Sequence, residues 1–280
     1  MKLEGTYDKQ YVNELLSDLK INQYENIIKT TFRDRLVSRS EVTDKYQMFD
    51  FPNFAKSIIP EAENYFTPDK FKLKITKGTQ ELRLVGESQI INNEQYFKML
   101  NIVSSSDKSK SLQLNIGLIR FICSNGMVIA VEHNSIKTKH LKSTLDSKIN
   151  SFYENLQNFN QVINNQKEIL NTLQDKTVSF IEISKELLKG KEDETTLPES
   201  RMLKLKAFSK KLLTSETDKL ENLTVGQIEI LNNPSLVLKN ILTDIEIPAH
   251  KAFNNYIEVY RSFDSTVLQR ETNRILSIIN

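Results

Sequence analysis

The chain holds one cysteine, Cys123, in the stretch LNIGLIRFICSNGMVIA between Leu114 and Ala130, a candidate nucleophile if the stretch is an active-site loop. A thiol attacks as thiolate and needs a base, usually histidine, to form it. The histidines are His133, His140 and His250. His133 follows Cys123 across Ser124-Asn125-Gly126 and would face it only if the flanking runs paired as strands in register. Cys123 also sits inside an apolar run, where a free cysteine behaves as a buried hydrophobe. Asn125-Gly126 is a strong hairpin signal, because both residues tolerate positive φ. The stretch therefore reads as a turn between core strands, with a structural cysteine. Three scattered histidines and one cysteine give no metal-ligand spacing. The carboxylates Glu192, Asp193 and Glu194 read as a solvated turn. No GxxxxGK[ST] or GxGxxG motif occurs. No cofactor is expected, and a binding role is favoured over an enzymatic one.

The other chemistry in the sequence is local positive charge. Net charge is only +2, so a basic surface has to be built by clustering. Lys70, Lys72, Lys74 and Lys77 alternate with Phe71, Leu73 and Ile75, which puts Lys70, Lys72 and Lys74 on one face of a strand. Arg33, Arg35 and Arg39 are also spaced by even numbers. Lys137, Lys139, His140 and Lys142 form a third group, joined by Lys108, Lys110 and Arg120 if the serine-rich loop folds nearby. Such groups can neutralise nucleic-acid phosphates, with Tyr46, Phe49, Phe51, Tyr65 and Phe66 to stack on unpaired bases. They can equally be edge-strand lysines that guard against aggregation.

The elements that must carry these residues fall into two halves. Residues 8–30 show helical spacing and predict a short amphipathic helix or helix pair. A second short helix is expected around residues 55–66. FKLKITKGTQELRLVGESQII reads as a β-hairpin turning at Gly78. Strands follow from Tyr96, in SLQLNIGLIRFICSN and in GMVIAVEH, with SSSDKSKS as a loop. Ile149, Phe152, Leu156, Phe159, Ile163, Gln166, Leu170 and Leu173 then keep heptad spacing. They predict one helix over roughly 138–189, about 75 Å long. The acidic KEDETTLPES stretch would turn it back on helices including about 235–243 and 248–278. The fold class is α+β: a mixed antiparallel-sheet domain over 1–135, then a helical domain over 136–280, a long helical hairpin with coiled-coil-like character. The heptad stripe would either pair helices within the chain or make a homo-oligomer. The N-terminus lacks a signal-peptide pattern, and no run approaches the roughly 18 apolar residues of a membrane span. With a lone cysteine, this predicts a cytoplasmic protein with no membrane partner.

Leu100 to Ala130 resembles the phage/plasmid-like proteins grouped as domain of unknown function 932. Members show an Asn-Ser-x-Asp-Gly-Ser loop, a strand with an arginine, and a Cys-Ser/Thr-Asn-Gly/Thr turn. Here the loop reads Ser105-Ser106-Asp107-Lys108-Ser109, with Lys108 where glycine is usual, and Arg120 to Met127 match in full. YQMFDFPNF resembles the family's short aromatic strand before a helix. AHKAFNNYIEVYRSF resembles its closing segment, with Asn255 and Glu258 in place and Ile257 where threonine is usual. The resemblance implies a phage or plasmid origin and a bacterial host cell, and it supplies no reaction. The expected function is a non-enzymatic nucleic-acid-binding protein, with single-stranded DNA binding or annealing as the concrete form. Arg33, Arg35, Lys72, Lys74, Lys77, Lys108, Arg120, Lys137 and Lys139 would contact phosphates. Two alternatives stand beside it: an interaction protein that grips a host or phage protein through its long helices, and a virion-associated structural protein.

Overall fold

Strict alternation from residue 68 onward builds a sheet. The computed structural model describes residues 2–121, 128–188, 203–204, 207–208, 246–260 and 265–279. In it β5 (Pro68–Ile75), β6 (Thr79–Ile91), β7 (Glu94–Ser105), β8 (Leu112–Phe121) and β9 (Val128–Thr138) pair antiparallel, each with the next. The first strand, β1 (Leu3–Tyr7), joins at the β5 edge, giving the order β1-β5-β6-β7-β8-β9. Leu73, Leu82, Leu84, Leu100, Ile102, Leu114 and Ile116 are fully buried. The register puts them on the same side of their strands, so the sheet has one largely apolar face, with the buried Gln80 and Ser104 towards one end of it. Helix α1 (Lys9–Asp18) lies against β5, and α2 (Phe51–Ala62) against β6 and β7. Asp8 caps α1 by accepting from the Tyr11 amide at 2.7 Å. Asp50 caps α2, with Pro52 in the first turn where its missing N–H costs nothing.

The helical reading of residues 8–30 holds only to Asp18. Leu19 adopts extended backbone, and residues 19–41 form a second sheet of β2 (Leu19–Tyr24), β3 (Ile27–Phe32) and β4 (Arg35–Glu41). Leu19, Ile21, Ile28 and Phe32 are buried. Their spacing fits a two-residue period as well as a helical one, and Glu25, at φ 49°, makes the turn that selects the strands.

The single helix expected over 138–189 is several elements. β9 runs on to Thr138, and α3 (Leu145–Gln157) ends where the Asn158 side chain donates to the Glu154 carbonyl at 3.1 Å. Then come α4 (Phe159–Thr172), β10 (Thr177–Ser179) and α5 (Phe180–Leu188). The heptad spacing is real, but its residues serve the chain's own core. Phe152, Leu156, Phe159, Ile163, Gln166, Leu170 and Leu173 are all buried. Phe159 stacks on Phe66 at 5.0 Å and 11°. The Gln166 side-chain oxygen accepts from the Leu118 amide at 2.9 Å, beside the irregularity in β8–β9 pairing between Leu118 and Ile119.

The compact units are Met1–Gln166 and Lys167–Asn280. The division therefore falls later than residue 135, because α3 and the start of α4 pack with the sheet. In the second unit β10 pairs with β11 (Glu246–Pro248), followed by α6 (Ala249–Tyr260) and α7 (Ser265–Ile279). The expected single helix over 248–278 is thus two. The Tyr256 hydroxyl donates to Glu271 at 3.0 Å, whereas one straight helix would hold them about 22 Å apart. Glu271, fully buried, also takes Arg270 and Arg274, and Arg274 reaches Glu186 of α5 at 2.8 Å. The chain is therefore a mixed sheet-and-helix region followed by several helices. No helix among the described residues is long and apolar enough to cross a membrane.

Candidate functional site

Three loops meet at one end of the six-stranded sheet. The β5–β6 turn ends at Gly78, whose carbonyl accepts from the Ser106 amide at 3.1 Å. A Cβ on Gly78 would stand 1.7 Å from the Asp107 carboxylate, so glycine is what lets the two loops close on each other. In the β7–β8 loop the Ser105 hydroxyl takes the Lys110 amide at 2.9 Å and gives to its carbonyl at 3.0 Å. The Asp107 carboxylate takes the Ser109 amide at 3.0 Å. Lys108 between them sits at φ 63°, in the left-handed region. That region favours glycine, the residue the resemblance leads one to expect there. The third piece is the end of β9. Tyr46 forms an isolated antiparallel bridge with Leu141, the Gln47 amide donates to the His140 carbonyl at 3.1 Å, and the Lys142 amide to that of Lys45 at 3.1 Å. In place of the short aromatic strand expected at YQMFDFPNF there is this single bridge, then α2.

Between these pieces lies a cavity of about 330 Å³. Lys108, Lys110 and Lys139 line it with the hydroxyl residues Thr43, Ser109 and Ser111, and Tyr46 and His140 form part of its wall. The His140 ring stacks on Tyr46 at 5.3 Å and 3°, with the edge of Phe49 at 6.3 Å. His140 is 5% exposed with both ring nitrogens sealed from solvent, and the nearby Gln47 backbone gives the charged form of the ring only partial support. Burial pushes its pKa down to about 4, so the ring is neutral at pH 7. Burial, with the Asp107 charge adding, pushes the Tyr46 hydroxyl up to about 12.

The expected phosphate contacts divide by location. Lys108 and Lys139 reach the cavity, as does Lys110. Lys77 is exposed in the turn beside Gly78, and Lys137 is exposed on β9 opposite Gln113. Arg120 does not join them. It sits about 25 Å along β8 from Leu112, where it pairs with Glu94 at 3.0 Å. Lys72 and Lys74 flank Glu4 of β1 at 3.7 and 3.8 Å. Lys2 foremost, with help from Lys74 and Lys72, holds that carboxyl below its usual range. Arg33 and Arg35 belong to the other sheet, with Arg33 bound to Asp18 at 2.9 Å and Arg35 exposed. The sheet face that carries Lys72 is not an open basic platform either. The register continues it through Arg83, Asn101 and Asn115, which are 6%, 0% and 1% exposed.

The aromatic residues expected to stack on bases are mostly core. Tyr46, Phe49, Phe51 and Phe66 are buried, occupied by His140, Phe54, the α2 core and Phe159. Tyr65 alone among them is half-buried. Cys123 and the Asn125-Gly126 turn lie outside the described residues, as do Glu192 to Glu194. Among the described residues no group of three or more His, Cys, Asp or Glu is placed to hold a metal ion.

Against protein-family models, residues 71–222 match the Domain of unknown function (DUF932). No curated protein and no solved structure matches the chain. The cavity lysines lie inside the matched span, whereas Thr43 and Tyr46 precede it.

Proposed function

Because this chain belongs to the DUF932 family, which brings no reaction with it, we propose from its own geometry that it is a non-enzymatic nucleic-acid-binding protein that holds single-stranded DNA by its phosphates at the basic end of the sheet. The observation that carries this reading is the convergence of Lys108, Lys110 and Lys139 on one cavity from two loops about thirty residues apart in sequence. Three lysines lining one cavity suit a phosphate, and lysines guarding a strand edge have no need of a cavity. The interface differs from a base-stacking sheet. Contacts to phosphate dominate, and affinity has little dependence on base sequence. Lys77 and Lys137 extend the positive field on either side. The reading puts this activity in the cytoplasm of a bacterial host, in replication or recombination of a mobile element, and the resemblance to phage and plasmid proteins supports it. Homo-oligomer formation through the helical half belongs to the same proposal. It would use surfaces other than the heptad stripe, whose side chains are spent on the core.

Fluorescence anisotropy of a labelled single-stranded oligonucleotide, titrated at several salt concentrations, tests the reading. Three lysine–phosphate contacts predict a log–log salt slope of about −2 for a single strand. Lys108→Gly is a clean charge removal, because glycine accepts the backbone at φ 63° without strain. It should flatten the slope by about 0.7. Lys139→Glu should weaken binding at least roughly tenfold at low salt, since it puts a like charge beside the phosphate. Absence of binding at low salt would overturn the proposal.

A further inference from the structure

A single strand gripped only at the sheet-end cavity would have its phosphates held and its bases untouched. The chain leads out of that cavity onto the three-stranded sheet. Thr43 lines the cavity, and Arg39 of β4 stands four residues before it, at most about 14 Å away along extended chain. Ser38 of the same strand faces inward and shares a hydrogen bond of 3.1 Å with Ser106, so β4 is fastened to the loop that carries Lys108. Strand pleat turns Arg39 to the opposite, outer face. Across the three strands the register sets Asn22, Lys29 and Arg39 in one row and Tyr24, Ile27 and Glu41 in the next. Ile27 is half-buried and the other five are exposed, so this outer face stands in solvent.

The side chains there are not those of a merely solvated face. Lys29 and Arg39 lie directly opposite each other, where like charges cost stability and a carboxylate would add to it. Neither forms an ion pair among the described residues, whereas Lys20 on the same strand as Asn22 is neutralised by Asp34 at 3.0 Å. Lys29 leans over the ring of Tyr24, 5.6 Å from its centre, and Tyr24 is 60% exposed. We infer that the outer face of the three-stranded sheet is a second contact for single-stranded nucleic acid, with Lys29 and Arg39 on its phosphates and a base stacked on Tyr24. This deepens the proposed function and rests on it for the identity of the ligand. An anion between the two cations relieves their repulsion, so binding draws on a cost already built into the free sheet. A base on Tyr24 adds stacking that is tolerant of sequence, with the Lys29 ammonium beside it. Glu41 stands at the far end of the Tyr24 row and repels phosphate, which keeps the backbone on the cationic row and the base on the aromatic one.

The chain has no tryptophan, so Tyr24→Trp supplies a single reporter at an exposed position. Full-length protein carrying it is titrated with single-stranded oligonucleotides long enough to span the cavity and the sheet. Stacking should quench the tryptophan over the same concentrations that raise the anisotropy of the strand. Tyr24→Ala should weaken binding at least roughly fivefold, whatever the base composition. Five lysine and arginine contacts give a log–log salt slope of about −3.5, and the double variant Lys29→Ala, Arg39→Ala should return it to about −2, the value for the cavity alone. All three side chains are exposed, and an unchanged melting temperature checks that the variants keep the fold. An unquenched tryptophan, with affinity and slope unaltered in the other two variants, would overturn the sheet contact and leave the cavity reading standing. Quenching at full affinity in a protein that also carries Lys139→Glu would support the sheet contact and remove the cavity from the proposed function. Loss of self-association in Tyr24→Ala, seen by sedimentation with strand binding intact, would overturn the inference and give this face to a second copy of the chain.

Discussion

Phe159→Ala should lower the folding stability of the chain by about 3–5 kcal/mol, the range for emptying a buried aromatic site. Phe159 is fully buried at the first position of α4, stacked face to face on Phe66 with Tyr65 6.3 Å away. The contact fastens the helices after the sheet to the end of α2, where Phe66 follows the last turn. Backbone on both sides is tied by regular hydrogen bonds, so the walls cannot simply collapse onto an alanine. Whole domains are stable by only about 5–15 kcal/mol, so the loss is a large fraction of the total. Urea unfolding measures it as a shift in midpoint at constant slope. A loss under about 1 kcal/mol would show that the Phe66–Phe159 stack does not bear on the sheet unit's stability.

The second large effect is a dependence on mild acid. His140 in the folded chain has a pKa of about 4, against 6.5 for the free side chain, because the buried ring resists charging. Between those values the unfolded chain binds a proton that the folded chain refuses. Stability is therefore full above pH 6.5 and falls as the pH drops towards 4. At about 1.4 kcal/mol per pH unit, the loss reaches about 2 kcal/mol at pH 5 and about 3 kcal/mol near pH 4. The charged groups facing the site are Lys108, Lys110, Lys139 and Asp107, with Tyr46 stacked on the ring. His140→Phe preserves the stack and removes this titration, so the stability of the wild type relative to the variant should fall by about 2 kcal/mol between pH 7 and pH 5. Parallel curves for the two proteins, from denaturation at pH 7, 6 and 5, would mean that His140 charges freely in the folded state.

The sheet was legible from the sequence because its signal is local. Phe71, Leu73 and Ile75 alternate with lysines, Gly78 marks the turn, and the serine-rich loop interrupts two apolar runs. Residues 19–30 misled because Leu19, Ile21 and Ile28 fit both periods, and tertiary packing decides between them. The heptad run gave correct buried residues and the wrong continuity, since spacing says which face is apolar and nothing about what covers it. Half of the candidate site was visible as lysines and a loop. The other half comes from pairing between residues 45–47 and 140–142, nearly a hundred residues apart, and no local pattern encodes that. The same limit applies to Lys72 and Lys74. Their alternation was plain, but Glu4, which partly neutralises them, comes from a strand nearly seventy residues earlier in the sequence.

The strand order has a consequence in time. Each of β5 to β9 pairs with its immediate successor, so this part of the sheet can zip up hairpin by hairpin, closing only short loops. The first strand is different. Leu3 meets Ile75, and between them lie α1, the three-stranded sheet and α2, all of which must be made before the partner strand exists. Closing β1 on β5 therefore takes by far the longest loop in the sheet, so in a refolding chain β1 is the last of these strands to find its place. Pulse-labelling hydrogen exchange during refolding should find the β7 and β8 amides protected before those of β1, and simultaneous protection would refute that order.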